Sequence, residues 1–311
     1  EGIQILVRRG VGGFCVFWGG LVETPRMISE LQKIAATPLL FCSDFEHGLA
    51  MRLQNGTAFP HALAMGMNPQ SRTKAIASAI ATESRSIGIM WNLAPVCDIN
   101  SNKYNPVINI RSFGNNIGIV NARSADYIEG TQAERVLATA KHFPGHGDTE
   151  TDSHQSLPVL NHSAERIREF ELAPFENAIA RGVKSIMVGH LAVPSITGDQ
   201  TPASLSYSIV TDLLRDDLGF GGLIVTDALD MKAITDNYPE EVAALMALEA
   251  GNDVLLLPPN PALAIDVLAK KFENSPRIKA QALESVSRIF AEKSWCGLRE
   301  DSFEYMFRQD Y

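Results

Sequence analysis

Short apolar stretches alternate with longer amphipathic or alanine-rich ones along the whole chain. The apolar runs are four to eight residues long, rich in branched side chains, and fall at 11–18, 38–42, 87–93, 136–142, 185–189, 223–226 and 253–257. Runs of this length without polar alternation predict parallel strands buried on both faces. Between them, 71–86, 164–181 and 239–250 carry helical patterns. No Pro/Gly/Ser-rich linker or charge block interrupts the repeat, so residues 1–311 read as one continuous α/β domain. The expected architecture is a TIM-type (β/α)8 barrel, which needs eight strands where seven are counted. The opening EGIQILVRRG reads as the tail of a helix leading into the first run, which predicts that the barrel's first strand lies upstream of residue 1. An open barrel, or a sheet wound on both faces, is the alternative.

Polar residues follow these runs at once: SDFEH after 38–42, KHFPGHGD at the end of 136–142, GH at 189–190, and TDALD at the end of 223–226. Parallel strands end on one face of a barrel, so these groups converge there. Packing gives no reason for a buried strand to end in clustered Asp, His and Lys. Five of the seven histidines, His47, His142, His146, His154 and His190, fall on these expected loops.

Composition narrows the function. The chain is 45% hydrophobic and 20% charged, enough apolar material for a sizeable core. A net charge of −9, with no run among the 27 basic residues, argues against nucleic acid. No apolar stretch approaches the ~20 residues needed to span a bilayer. Cys15, Cys42, Cys97 and Cys296 are widely spaced, the first three inside apolar runs, and read as small core residues rather than a disulfide framework or metal site. Residue 1 is Glu rather than Met, which reads as a processed or excised chain, so a targeting signal would lie outside it.

Three constellations carry candidate chemistry. In the segment from Lys141 to His154, Pro144 and two glycines forbid a helix, so His142 and His146 are not a zinc pair one helical turn apart. The GK[ST] ending of a phosphate-binding loop is also missing. His146, Asp148 and Thr149 divide evenly between chemistry and a loop stitched by its own hydrogen bonds. Asp152, two residues before His154, can fix the imidazole tautomer and leave the other ring nitrogen free for proton transfer. In IVTDALDM, Asp227 follows directly on a buried strand, where an unpaired carboxylate is costly. Asp227 could be the N-cap of the next helix, but Asp230 fits that role at least as well, which leaves Asp227 freer for chemistry. In SDFEHGLAMR, Asp44 and Arg52 taken alone would be a plain surface ion pair, and Arg111 a surface residue or a clamp on a loop carbonyl.

Together these segments resemble glycoside hydrolase family three, in its bacterial β-N-acetylglucosaminidase branch. The resemblance runs through nearly the whole chain in order: GGFCVFWG, SDFEHGLAMRL, NLAPVCDIN, NPVINIRSFG, KHFPGHGDTETDSH, IMVGHLAVP, LIVTDALDMKAI and AGNDVLLLP. It implies that Asp227 is the nucleophile of a retaining hydrolase, with His154 as acid/base and Asp152 as its partner. Asp44, Arg52, Arg111, Lys141 and His142 match positions that bind the terminal N-acetylglucosamine, and Met231 lines the same subsite. The resemblance implies no cofactor and no metal, and a role in peptidoglycan recycling in the bacterial cytoplasm. The chemistry is self-consistent: a proton donor and a carboxylate must flank the scissile bond, and a histidine is poised near neutral pH to give and retrieve the proton. Lys141 and Arg111 on the same face are expected to keep Asp227 ionised.

One departure stands out. The family's D-x-E-G-G-R run reads Asp44-Phe-Glu-His47-Gly-Leu49, losing a cation and gaining an imidazole. Two rivals share the scaffold: a phosphorylase, since a neutral histidine repels phosphate less than a carboxylate does, and a β-glucosidase, against which the Asp-Ser-His dyad speaks. A catalytically dead carbohydrate-binding protein is the rival from another class.

Overall fold

The computed structural model describes residues 2–68, 72–150, 153 and 156–298. Six strands, Gly13–Cys15, Leu40–Ser43, Trp91–Asn92, Leu137–Phe143, Ser185–Val188 and Leu223–Thr226, form one parallel sheet in chain order. Every strand end therefore opens on the same edge, as the strand-end polar groups demanded.

Alternation along the strands divides the core in two. Leu40, Cys42, Trp91, Leu137, Met187, Leu223 and Val225 meet in one cluster on the sheet's concave face, closed by Cys296 and Leu298 beyond the helix Pro276–Trp295. Phe41 on the opposite face packs against the helices Glu23–Ile34 and Thr73–Ser86, and Ala138, Ala140, Ile186 and Ile224 against Phe175, Ile209 and Leu213. That two-sided burial is why the strands read as continuous apolar runs. The four cysteines are free, three of them buried.

Several boundaries differ from the sequence expectation. The run at 11–18 contributes only Gly13–Cys15, and Gly13 sits so tightly on Leu40 that a Cβ would lie 1.8 Å from its carbonyl oxygen. Only Trp91–Asn92 of the run at 87–93 joins the ladder, since the Ile89 N–H turns back to the Ser84 carbonyl at the preceding helix end. The helix expected at 164–181 opens into a wider π turn at Ile167–Glu171 before Ala173–Ala180, consistent with Pro174 lacking an N–H for the regular ladder. The helix expected at 239–250 is Glu240–Ala250.

The seventh run is the main correction. Residues 253–257 lie beside Leu223–Thr226 but share a single bridge, Val225 with Val254, before Leu257 turns away at φ +49°. The described sheet is therefore a parallel half-barrel of six strands. Between its Gly13–Cys15 edge and residues 253–257 lies a cavity of about 390 Å³, lined mainly by apolar groups such as Leu6, Leu40, Trp91 and Leu268. No helix among the described residues is long and apolar enough to cross a membrane.

Candidate active site

The site is built from the C-terminal ends of five strands. Asp44 follows Leu40–Ser43, and Phe45 and Glu46 are held by two buried groups from neighbouring elements. The Asn92 amide oxygen accepts from the Phe45 N–H at 3.0 Å, and the Tyr127 hydroxyl donates to the Phe45 carbonyl at 2.7 Å. Tyr127 stands on the helix Ile117–Ala133, so the carboxylates at 44 and 46 are fixed from the rear.

In front, two carboxylates meet three cations. Lys141, 2% exposed on Leu137–Phe143, places its Nζ 2.8 Å from both Asp44 Oδ1 and Glu46 Oε1. Arg111 grips Glu46 with two prongs, Nε at 3.0 Å and Nη2 at 2.8 Å, while Arg52 Nη2 lies 2.7 Å from Asp44 Oδ2. Burial alone would raise the Glu46 pKa, but Lys141 and then Arg111 hold it well below the usual carboxylate range. Lys141 is correspondingly held above its ordinary value against burial by Asp44 and Glu46. Arg52 Nε is buried without a hydrogen-bond partner among the described residues.

Asp98 anchors the next strand end. Its Oδ2 accepts from His142 Nδ1 at 2.7 Å, and its Oδ1 accepts from the His146 N–H at 2.7 Å. Burial opposes its ionisation, but the His142 field and hydrogen bond overcome that and keep it low. With Nδ1 committed, His142 turns Nε2 toward Arg111 at 3.5 Å. His146 is structural: it pairs with Thr149 Oγ1 at 2.6 Å and Ser153 Oγ at 3.2 Å, and burial pulls its pKa down to about 4. Thr149 shares that stitching, whereas Asp148 bonds to His162 Nε2.

Asp227 closes the ring from the end of Leu223–Thr226. Its Oδ1 accepts from the Ala228 N–H at 2.8 Å, and among the described residues no cation pairs with it. Burial would raise its pKa; His190, His142, the Ala228 N–H and Lys141 together keep it below the ordinary value. His190 is itself buried and held low by that burial, donating from Nε2 to the Ala228 carbonyl at 2.8 Å while Nδ1 meets Ser204 Oγ at 2.7 Å. Met231, 8% exposed, is the residue before the helix Lys232–Thr235.

The expected residues Asp44, Arg52, Arg111, Lys141, His142 and Asp227 thus gather at one edge of the sheet, with Met231 just beyond Asp227. Asp152 and His154 lie outside the described residues; Ser153 between them is buried, and its carbonyl accepts from the Ala233 N–H at 3.3 Å. Three expectations need correction. Asp230 does not cap the following helix, whose N-cap is Met231 with no side-chain bond. Arg111 is committed to Glu46 rather than to Asp227, whose field comes from His190, His142 and Lys141. Asp44 with Arg52 is no plain surface pair, because Asp44 is shared with the buried Lys141. Asp98 and Asn92 do not stand out in the sequence as site residues, and Glu46 and His190 enter there only as members of the strand-end loops, with no role assigned. All four sit in or just after strand ends, so the rule that found Asp44 and Asp227 also reaches them once pairing partners are sought.

The Leu49 departure has a physical account. Leu49 is fully buried with Phe45, Leu53 and Ile80, an apolar setting in which a charge is costly, and His47 packs at a tilt of 47° against His61 with ring centroids 4.2 Å apart.

A parallel α/β sheet thus gathers carboxylates, histidines and clamped cations at its strand ends. The chain belongs to glycosyl hydrolase family 3, matching that family's N-terminal domain over residues 3–291. It is 35% identical to beta-hexosaminidase A of Pseudoalteromonas piscicida, over 91% of this chain and 51% of that protein. Among solved structures, the family 3 beta-N-acetylglucosaminidase of Paenibacillus sp. str. FPU-7 is 36% identical with a TM-score of 0.89, covering 95% of this chain and 59% of the other. A beta-glucoside phosphorylase, BglX, is 25% identical with a TM-score of 0.89, covering 96% of this chain and 56% of the other. The chain spans about half the length of the curated relatives it matches first.

Proposed function

We propose that this chain is a retaining hydrolase that removes terminal β-linked N-acetylglucosamine, with Asp227 as nucleophile. The observation that carries the reading is the state of Asp227: ionised, buried among histidines and Lys141, and without a cation partner among the described residues. A carboxylate kept charged but uncommitted can attack an anomeric carbon and stabilise the oxocarbenium-like transition state before it. Across the site, Asp44, Arg52, Lys141, Arg111 and His142 supply charge-assisted contacts for sugar hydroxyls. Met231 adds an apolar wall next to the nucleophile.

In this reading His154 protonates the leaving oxygen and then activates water, with Asp152 orienting it. Ser153, which lies between them in sequence, is buried against His146 and the Lys232–Thr235 helix that follows Asp227 in the chain, in keeping with this reading. The same reading takes residues 1–311 as one catalytic unit whose half-barrel belongs to a (β/α)8 barrel, a further strand lying in the cavity beside Gly13–Cys15. A role in peptidoglycan recycling in the bacterial cytoplasm goes with it, in keeping with four unpaired thiols.

The test is release of nitrophenol from nitrophenyl N-acetyl-β-glucosaminide. Turnover by the parent, abolished by Asp227→Asn and by His154→Ala, supports the assignment; near-normal turnover of a poor leaving group by His154→Ala would remove the dyad. The likeness to a phosphorylase keeps one rival in view. If sugar 1-phosphate is the main product when phosphate is added, the hydrolase reading gives way to it.

A further inference from the structure

We propose that Asp148, His162 and Glu171 form a binding site for a divalent cation of the zinc class, which ties together the two ends of the loop bearing the proposed dyad. Each of the three offers one ligand atom, and all these atoms lie within 4.8 Å of one another. One imidazole nitrogen with two carboxylate oxygens suits Zn²⁺, whose bonds of about 2.0–2.2 Å can gather such a set after small side-chain rotations.

The ligands come from three separate segments. Asp148 lies in the loop after Leu137–Phe143, His162 directly precedes Ser163, the N-cap of Ala164–Arg166, and Glu171 ends the π turn at Ile167–Glu171. Residues 149–161 run between the first two, and they include Asp152 and His154. A cation held by all three would therefore close the base of that loop against the helix behind it.

Glu171 carries the argument beyond a chance acidic cluster. Its side chain is fully buried, and one oxygen, Oε1, accepts from Arg166 at 3.3 Å. The other, Oε2, is buried with no hydrogen-bond partner among the described residues. A buried carboxylate oxygen without a donor is costly and lacks a structural role of its own. Gly145 meets it from the other side at φ +130°, where an added Cβ would lie 3.1 Å from Oε2, so the loop backbone closes over this oxygen. The contact between His162 Nε2 and Asp148 Oδ2 satisfies those two groups but leaves Glu171 Oε2 without a partner. Both are only part-exposed, at 32% and 23%, so an ion can reach them without the core opening.

The inference does not depend on the proposed reaction, because binding is read without substrate. Metal-stripped protein is titrated with Zn²⁺ by calorimetry in a magnesium-containing buffer. The expected result is one zinc per chain, with affinity weakened roughly tenfold or more in each of His162→Gln, Asp148→Asn and Glu171→Gln. Circular dichroism of His162→Gln, altered at a part-exposed position, shows whether a loss reflects binding rather than unfolding. In the parent, zinc also slows protease cleavage within 149–161, and in His162→Gln it does not. Absence of binding, binding unchanged in all three variants, or binding lost only in Asp152→Asn or His154→Gln would overturn the proposal.

Discussion

Carboxylates on the two sides of the site are held charged in opposite ways. Asp44, Glu46 and Asp98 are each committed: Lys141, Arg52, Arg111 and His142 meet them at 2.7–2.8 Å, and their charge is spent on holding cations and a ring in place. Asp227 is kept ionised by the field of its surroundings and one backbone N–H, with no cation in contact among the described residues. The first arrangement makes a rigid wall, since removing either partner strands a buried charge. The second suits the nucleophile proposed for Asp227, since no ion pair among the described residues must be broken before it attacks. Pairing alone separates the two kinds of carboxylate, although all four groups are aspartate or glutamate on one sheet edge.

The largest test of that contrast is Asp227→Asn. Asn keeps the bond from Ala228 and nearly the same volume, so the melting temperature should stay within a few degrees while turnover of a nitrophenyl N-acetylglucosaminide falls roughly a thousandfold or more. Equal losses of stability and activity would place Asp227 with the structural carboxylates. Glu46→Gln should do the reverse first: it leaves Lys141 and Arg111 short of a buried partner and should cost about 3–5 kcal/mol in urea unfolding. Because folded Glu46 titrates below its unfolded value of about 4.3, the stability it provides is complete above that pH and is lost as pH falls through the folded value. The parent should therefore lose stability on acidification below about pH 4, and Glu46→Gln should lose part of that dependence.

The strand-then-helix order and the one-sided convergence of SDFEH, KHFPGHGD and TDALD are legible in the order of residues alone. Buried parallel strands have a distinctive apolar pattern, and their polar ends have no packing reason to exist. Partnership is not legible in the same way. Arg111 and Glu46 lie 65 residues apart, so nothing in their spacing says that they pair. Asp98 escapes for the same reason, since its worth comes from His142 and His146 on another strand end. The seventh run fails as a strand because a ladder needs a partner along its length, and Leu257 breaks away after one bridge.

A smaller effect is expected at His190, which reaches Asp227 through its field and the Ala228 carbonyl. His190→Gln should lower kcat by roughly ten- to a hundredfold. It should also move the acidic limb of the kcat/KM profile to higher pH, since Asp227 then protonates more easily. An unmoved limb would mean that His190 only packs.

The smallest effect concerns a cation rather than a carboxylate. Lys293 is 3% exposed beside the open cavity, has no ion-pair partner among the described residues, and is pulled by burial down to about 8. Its folded value lies below the unfolded ~10.4, so the unfolded chain holds the extra proton between those values and stability rises with pH across that window. Lys293→Met should stabilise the fold at pH 7 by about 1 kcal/mol, read as a higher melting temperature. The gain should shrink as pH rises toward 10, and a constant gain would trace it to packing instead.

The contrast between committed and uncommitted carboxylates is tested most directly by trapping the intermediate. After incubation with a 5-fluoro-N-acetylglucosaminyl fluoride, which forms the glycosyl–enzyme faster than water resolves it, intact-mass analysis should show one added sugar. Peptide sequencing should place that sugar on Asp227. A label on Asp44, Glu46 or Asp98, or turnover that continues with no label at all, would contradict the account.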